Sequence, residues 1–392
     1  MNSKRISKRI LVAVVALAIS IVRQEGASAK EDDKNQAIPL FDDGVIVRIP
    51  VKVFNDTLYF VVDTGSSISM LDDKYRDRLG TSIGTGVAAT PVSQGDHVPI
   101  YRAPDFFVGA THGDLKQVLS VNLAMLKYVS GEPCDGILGM DFFQNHVVRV
   151  DFDSRSLAIV DHLSEDFKRK ATAVPLHPLF KNQVGLEAVI DSTTTVSLKI
   201  DTGDNGSISL NPHDWEQVLA GRKDVKIHTT LTGTLNRDAT QISIARLPDV
   251  EIGPQKYQNL LCSLSPAHEA RSTIGTGFLR RHSATFDFPN HMLYLTPGKA
   301  FNDLDNLDMT GLHLVRRDGR TLVYSVDEHS PAAEAGMEPG DIINLIDGKD
   351  AAQMKMKAIR QRLKSNDGDR VAVDIVRGET NKSLVIVLKK AL

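Results

Sequence analysis

Only two of the 392 residues are cysteine, Cys134 and Cys262. The chain can therefore form at most one intrachain bridge, with two buried thiols as the alternative, and a four-cysteine metal site is impossible. Long apolar runs are missing as well. Ile10 to Val22 spans 13 residues, short of the roughly 20 that a bilayer-crossing helix needs. No His-Glu-x-x-His pair occurs and no Ser, His and acid set stands out, so the familiar zinc and serine hydrolase signatures are absent. Charge of one sign is also lacking, at net −3, which gives nucleic acid or anionic lipid no electrostatic reason to bind. The 42% hydrophobic and 24% charged content excludes wholesale disorder and a multi-span membrane protein, and the length suits two or three compact domains.

What is present begins with a targeting segment. Lys4, Arg5, Lys8 and Arg9 lead into the apolar run, and Ala27-Ser28-Ala29 offers a small-residue cleavage site. Residues 1–29 thus read as a signal peptide, cut after Ala29, of a periplasmic or secreted protein with no membrane span after cleavage. An uncleaved N-terminal anchor is the alternative. Removal takes away five basic groups and one acid, moving the net charge from −3 to −7. Residues 30–37 are too few and too polar for an inhibitory pro-segment.

The chain then repeats itself. Gly139, Phe142, His146, Asp151 and Phe152 recur without a gap as Gly275, Phe278, His282, Asp287 and Phe288, at an offset of 136. Upstream, Arg102-Ala-Pro104-Asp105 recurs as Arg246-Leu-Pro248-Asp249, and Asp63-Thr64-Gly65 recurs as Asp201-Thr202-Gly203. Three landmarks in one order imply two related lobes, over residues 38–170 and 171–297. Each opens as a strand hairpin whose second strand, Leu58 to Val62 or Val196 to Ile200, runs into Asp-Thr-Gly. Short helices are expected at Asp72 to Leu79 and, opened by Asn211 and Pro212, through Leu219.

The two Asp-Thr-Gly copies carry the chemistry. Hydrolysis of a peptide bond without a metal or covalent nucleophile needs one carboxylate to take a proton from water and one carboxylic acid to serve the carbonyl oxygen. Two adjacent carboxylates resist ionising together, so identical side chains can fill both roles. Gly65 and Gly203 permit the tight turns, the Thr64 and Thr202 hydroxyls can tie the loops together, and Ser66 is placed to bond the outer oxygen of Asp63. The repeated His146 and His282 read as structural residues, and no metal is expected.

With Ile137-Leu138-Gly139 and Thr273-Ile274-Gly275 following the two motifs, residues 40–297 resemble the pepsin and retropepsin clan of aspartic proteases. The resemblance implies a mainly β, bilobal fold with pseudo-twofold symmetry and a catalytic pair, Asp63 and Asp201. It implies that the later element threads through each aspartate loop and that β-hairpin flaps, here 87–100 and 231–244, close the cleft. It also implies a polypeptide substrate and no cofactor. Two departures stand out. Asp204 adds a third carboxylate, which would raise the pair's pKa or disturb it if turned inward, and Thr273 replaces an apolar residue. If the second lobe had decayed, Asp63 could instead pair with the Asp63 of another chain.

The tail differs. Ser330-Pro331-Ala-Ala-Glu-Ala-Gly336-Met-Glu-Pro339-Gly340-Asp341-Ile342-Ile343, with Gly311-Leu312-His313-Leu314 ahead of it, resembles a PDZ domain over 311–392, joined by a linker at 298–310. The resemblance implies a small α+β domain in which the Gly311 loop offers amides to a peptide C-terminus. The strand from His313 onward would accept the peptide as an added strand, and 358–363 would wall the pocket. The order is that of bacterial PDZ domains, with 384–388 supplying the missing strand. The expected whole is an exported aspartic endopeptidase with a PDZ module. The other possibility is a silent peptide-binding protein on the same scaffold.

Overall fold

The structure, a computed structural model, describes residues 37–88, 96–220, 222–223, 225–234, 237–265 and 271–392. The expected signal peptide and the tips of both flap candidates lie outside the described residues. The chain is mainly β, and the described residues form four sheets. Among the described residues no helix is long and apolar enough to cross a membrane.

Each lobe begins with the expected hairpin. Val47–Val53 pairs with Asp56–Val62, turning through Phe54 and Asn55, both at positive φ. Val184–Ile190 pairs with Thr194–Asp201 in the second lobe. The alternating burial of these strands packs Ile49, Val51, Val53, Leu186, Ala188 and Ile190 into a hydrophobic core that runs unbroken through both lobes.

A sheet of six strands joins the lobes, and at its centre Val147–Asp151 lies antiparallel to His282–Asp287. Arg149 faces Thr285 there, and these occupy the same position in the two sequence copies. The pseudo-twofold axis therefore passes between them, and the duplication is a symmetry of the fold.

The threading element appears twice. Gly136–Leu138 runs parallel to the strand entering Asp63 and antiparallel to Met70–Asp72. Thr273–Gly275 does the same between Thr194–Asp201 and Ile208–Leu210. Each is followed by a short helix, Met140–Phe143 or Thr276–Leu279, carrying the repeated phenylalanine into the core.

Local expectations met mixed outcomes. Pro212–Leu219 is a helix capped by the Asn211 side chain, with proline in its first turn. The expected helix near Asp72 to Leu79 is a 3-10 helix, Asp73–Arg78, whose cap Asp72 accepts from the Lys74 amide. The 298–310 segment is no loose tether. Asp305 accepts from the Ser207 hydroxyl at 2.7 Å, the Leu261 amide at 3.0 Å and the Arg281 guanidinium at 2.8 Å, which stitches it to the second lobe.

The tail forms its own sheet, in the order Leu312–Arg317, Arg320–Val326, Ile342–Ile346, Arg370–Arg377 and Thr380–Val387. Helices Pro331–Glu334 and Met356–Leu363 complete it, and residues from Met309 to Leu388 fill a core separate from that of the lobes. Cys134 and Cys262 are buried free thiols, so the bridge is not formed; burial pushes Cys134 up to about 12 and raises Cys262 further.

Candidate functional site

The two hairpin strands end at the lobe interface, and the threading elements hold their loops. The Asp63 amide donates to Leu138 O at 3.0 Å. Oδ1 of Asp63 accepts from the amides of Gly65 and Ser66 at 2.9 and 3.0 Å, and Oδ1 of Asp201 accepts from those of Gly203 and Asp204 at 3.0 and 3.2 Å. The arrangement is the same on both sides of the axis.

Each carboxylate lies over the other loop's glycine. A Cβ on Gly65 would fall 2.2 Å from Asp201 Oδ2, and one on Gly203 would fall 2.8 Å from Asp63 Oδ1. Any side chain at either position would drive the loops apart, so both glycines are required for close approach.

The threonines lock the approach from beneath. The Thr64 amide donates to Thr202 Oγ1 at 2.9 Å and the Thr202 amide to Thr64 Oγ1 at 3.1 Å. Their hydroxyls donate onward to Ile200 O at 2.9 Å and Val62 O at 2.7 Å. Four buried hydrogen bonds, none exposed to competing water, thus join one loop to the other.

The Asp63 pKa is raised to about 7, first by burial and then by the adjacent Asp201 charge. Two features differ from expectation. The Ser66 hydroxyl does not reach the outer oxygen of Asp63; it donates to Ile68 O at 2.8 Å, because the loop turns it back along its own backbone. Asp204 turns away from the pair. Its Oδ2 accepts from Thr273 Oγ1 at 2.6 Å and Ser209 Oγ at 2.9 Å, and its Oδ1 accepts from the Gly206 amide at 2.8 Å. The two departures noted in sequence are thus partners: the hydroxyl that replaces an apolar residue binds the extra carboxylate.

Sequence reasoning missed Lys199. Its Nζ lies 2.8 Å from Asp201 Oδ2, with both side chains largely buried, at 14% and 15% exposure. Burial alone would lower the lysine's pKa, but Asp201 and Asp63 outweigh it and hold it above the ordinary value. The equivalent place in the first lobe is Val61, so a lysine where the first copy has a valine was the available signal. Gln183 was missed too; its side-chain amide donates to Gly65 O, beside the pair.

The flap candidates are hairpins in both lobes, Gly84–Ala88 with Asp96–Arg102 and Ile227–Thr234 with Arg237–Ile252. His282 bonds the Tyr257 hydroxyl at 3.1 Å amid Phe278 and Phe301, and burial pushes it down to about 4. The His146 ring lies tilted against Phe142, with centroids 4.7 Å apart.

The tail's peptide-binding features are engaged within the chain. The Gly311 amide donates to Asp308 Oδ1 at 2.8 Å and the Leu312 amide to Thr310 Oγ1 at 3.1 Å, so the loop does not offer these two amides outward as expected. His313 bonds Asp327 at 2.8 Å, and Asp327 also accepts from Thr230 Oγ1 and the Leu231 amide of the second-lobe hairpin, at 2.6 and 2.9 Å. Leu314 packs inward. Strand Leu312–Arg317 lies against the first-lobe helix Ala124–Ser130. Arg360 donates to Val129 O, Lys357 Nζ donates to Asp42 O at 2.9 Å, and Met356 packs against Gly131.

Two family models match parts of the chain. Residues 49–142 match the aspartyl protease family model, and residues 322–377 match that of the PDZ domain. A probable CtpA-like serine protease of Staphylococcus haemolyticus (strain JCSC1435) is 27% identical over 90 residues, 22% of this chain and 18% of that protein. The chain thus spans about a fifth of that relative's length. Among solved structures, an aspartic proteinase from Irpex lacteus aligns with a TM-score of 0.44 at 13% identity, covering 69% of this chain and 99% of that one. The chain carries an aspartyl-protease-like domain and a PDZ domain.

Proposed function

We propose that the protein is an exported aspartic endopeptidase whose water is activated by Asp63 and Asp201. The observation that carries this reading is the reciprocal seating of each carboxylate over the opposite loop's glycine, which sets both on one axis. In this reading one aspartate enters as the carboxylate and the other as the acid. The carboxylate takes a proton from water as the water oxygen bonds to the peptide carbonyl carbon, and the acid gives its proton to the carbonyl oxygen. The gem-diol then collapses: the newly protonated aspartate delivers its proton to the amide nitrogen, the C–N bond breaks, and the other aspartate recovers a proton from a gem-diol hydroxyl. Atoms and charge balance with no metal or cofactor.

Cleavage of an unfolded protein across pH, by wild type and by Asp63→Asn, tests this. Turnover in the wild type and its loss in the variant are expected, and no turnover in either would overturn the reading. Export is supported by the basic and apolar N-terminal sequence, and the mature chain should begin at Lys30 on N-terminal sequencing.

A second reading, a silent binding protein, draws on the Lys199 ion pair, which could quench Asp201. The same cleavage assay separates the two. For the PDZ domain we propose a closed state, in which a C-terminal peptide binds only by displacing helix Ala124–Ser130 and the Asp308 contact. A polar interface of this sort, in which the buried Arg360 Nη1 makes no hydrogen bond, suits release better than permanent docking.

A further inference from the structure

A symmetric pair of aspartates gives no reason for the shared proton to prefer one side. Here a cation bound to one carboxylate breaks the symmetry. Lys199 sits two places before Asp201 on the same strand face, its ammonium 2.8 Å from Asp201 Oδ2, while the matching residue before Asp63 is the buried Val61. A cation bound to one carboxylate favours the negative charge there and leaves the proton to the other.

We propose that Lys199 is a positioning residue that fixes the roles of the pair, holding Asp201 as the carboxylate that activates water and Asp63 as the acid that serves the peptide carbonyl. This inference rests on the reading of the site as a proteolytic pair and assigns the roles which that reading leaves open.

The surroundings support a single controlling cation. Three acidic groups act on the ammonium: Asp201, Asp63 and, more weakly, Asp204, whose carboxylate is turned toward Thr273 and Ser209. On the adjoining strand Lys199 pairs with Gly185, which has no side chain, and on the other side with the neutral Thr273. The imidazole nearest Gly185, that of His177, is engaged by Ser197 and faces Glu187. Nothing cationic in this set matches Lys199 on the Asp63 side.

The test compares pH profiles of kcat/KM for peptide cleavage by wild type, Lys199→Met and Lys199→Arg, with site-resolved carboxyl titration of Asp63 and Asp201 by 13C NMR. In the methionine variant both limbs of the profile should move to higher pH, by about 1 to 3 units, because a cation that favoured ionisation has gone. The arginine variant should stay near the wild-type profile. Coincident profiles for wild type and a folded methionine variant would overturn the proposal. So would a wild-type titration in which Asp201, rather than Asp63, holds the proton first as pH falls. That titration needs no variant and no turnover. A wild type that titrates as expected but cleaves nothing would therefore sink the proteolytic reading while leaving the proton assignment intact.

Discussion

Asp63→Asn should remove activity and at the same time stabilise the protein at neutral pH. Burial and the charge of Asp201 raise the Asp63 pKa from 3.8 to about 7 in the folded state. Between those values the folded protein binds a proton that the unfolded chain has released, so stability falls as pH rises through the window. A rise of about three units corresponds to a penalty on the order of 4 kcal/mol once the window is crossed. Asparagine has no proton to lose there, and its side-chain oxygen can still accept from the amides of Gly65 and Ser66. Wild type and variant should therefore melt at similar temperatures near pH 4 and diverge toward about pH 8, the variant being the more stable. At roughly 2 to 4 °C per kcal/mol for domains of this size, the gap in Tm should approach about ten degrees. Calorimetry or circular dichroism across the pH range measures it. A difference that stays constant from acid to alkaline pH, or a variant less stable at the alkaline end, would refute the assignment of an Asp63 that keeps its proton to about pH 7 and destabilises the fold once ionised.

Two further outcomes follow from contacts outside the pair. Asp204→Ser and Thr273→Ile should each cost about 1.5 to 3 kcal/mol, the range for a hydrogen bond to a charged group, because each leaves the other's polar atom short of a partner. The double variant, which restores the first lobe's Ser66 and Ile137 at these places, should cost less than the sum. Urea unfolding of all four proteins measures the coupling, and additivity within about 0.5 kcal/mol would show that the two residues act independently. Arg360→Ala combined with Lys357→Ala should loosen the PDZ domain from the first lobe, raising hydrogen exchange in 312–317 and strengthening binding of a C-terminal peptide, since a larger fraction of molecules is competent. Unchanged exchange and unchanged affinity would show that the groove is not held closed by these contacts.

The duplication made much of the fold legible. A repeat of Gly139 to Phe152 at constant offset requires two copies of one structure, and the central antiparallel pair Val147–Asp151 with His282–Asp287 is where such copies can meet and continue each other's sheet. The aspartate loops were legible for the same reason, since Gly65 and Gly203 recur at places that tolerate no side chain. What escaped is charge and docking. Asp204 looked like an intruder because sequence orders residues along a line, whereas the hydroxyl that binds it, on Thr273, arrives 69 positions later on a parallel-paired strand. Ser66 was given to Asp63 because the two are neighbours in sequence, but a short loop can turn a hydroxyl back on its own backbone as easily as toward a side chain. Lys199 was passed over because one lysine in a strand ordinarily points to water. Its neighbours at 198 and 200 are apolar and buried, so the face it shares with Asp201 must point toward the cleft. The strand period is thus a signal that could have set an ammonium beside Asp201, and the same two-residue rule, applied to Val61 and Asp63, leaves the other lobe without one. The cation beside one aspartate and not the other follows from the difference between Lys199 and Val61.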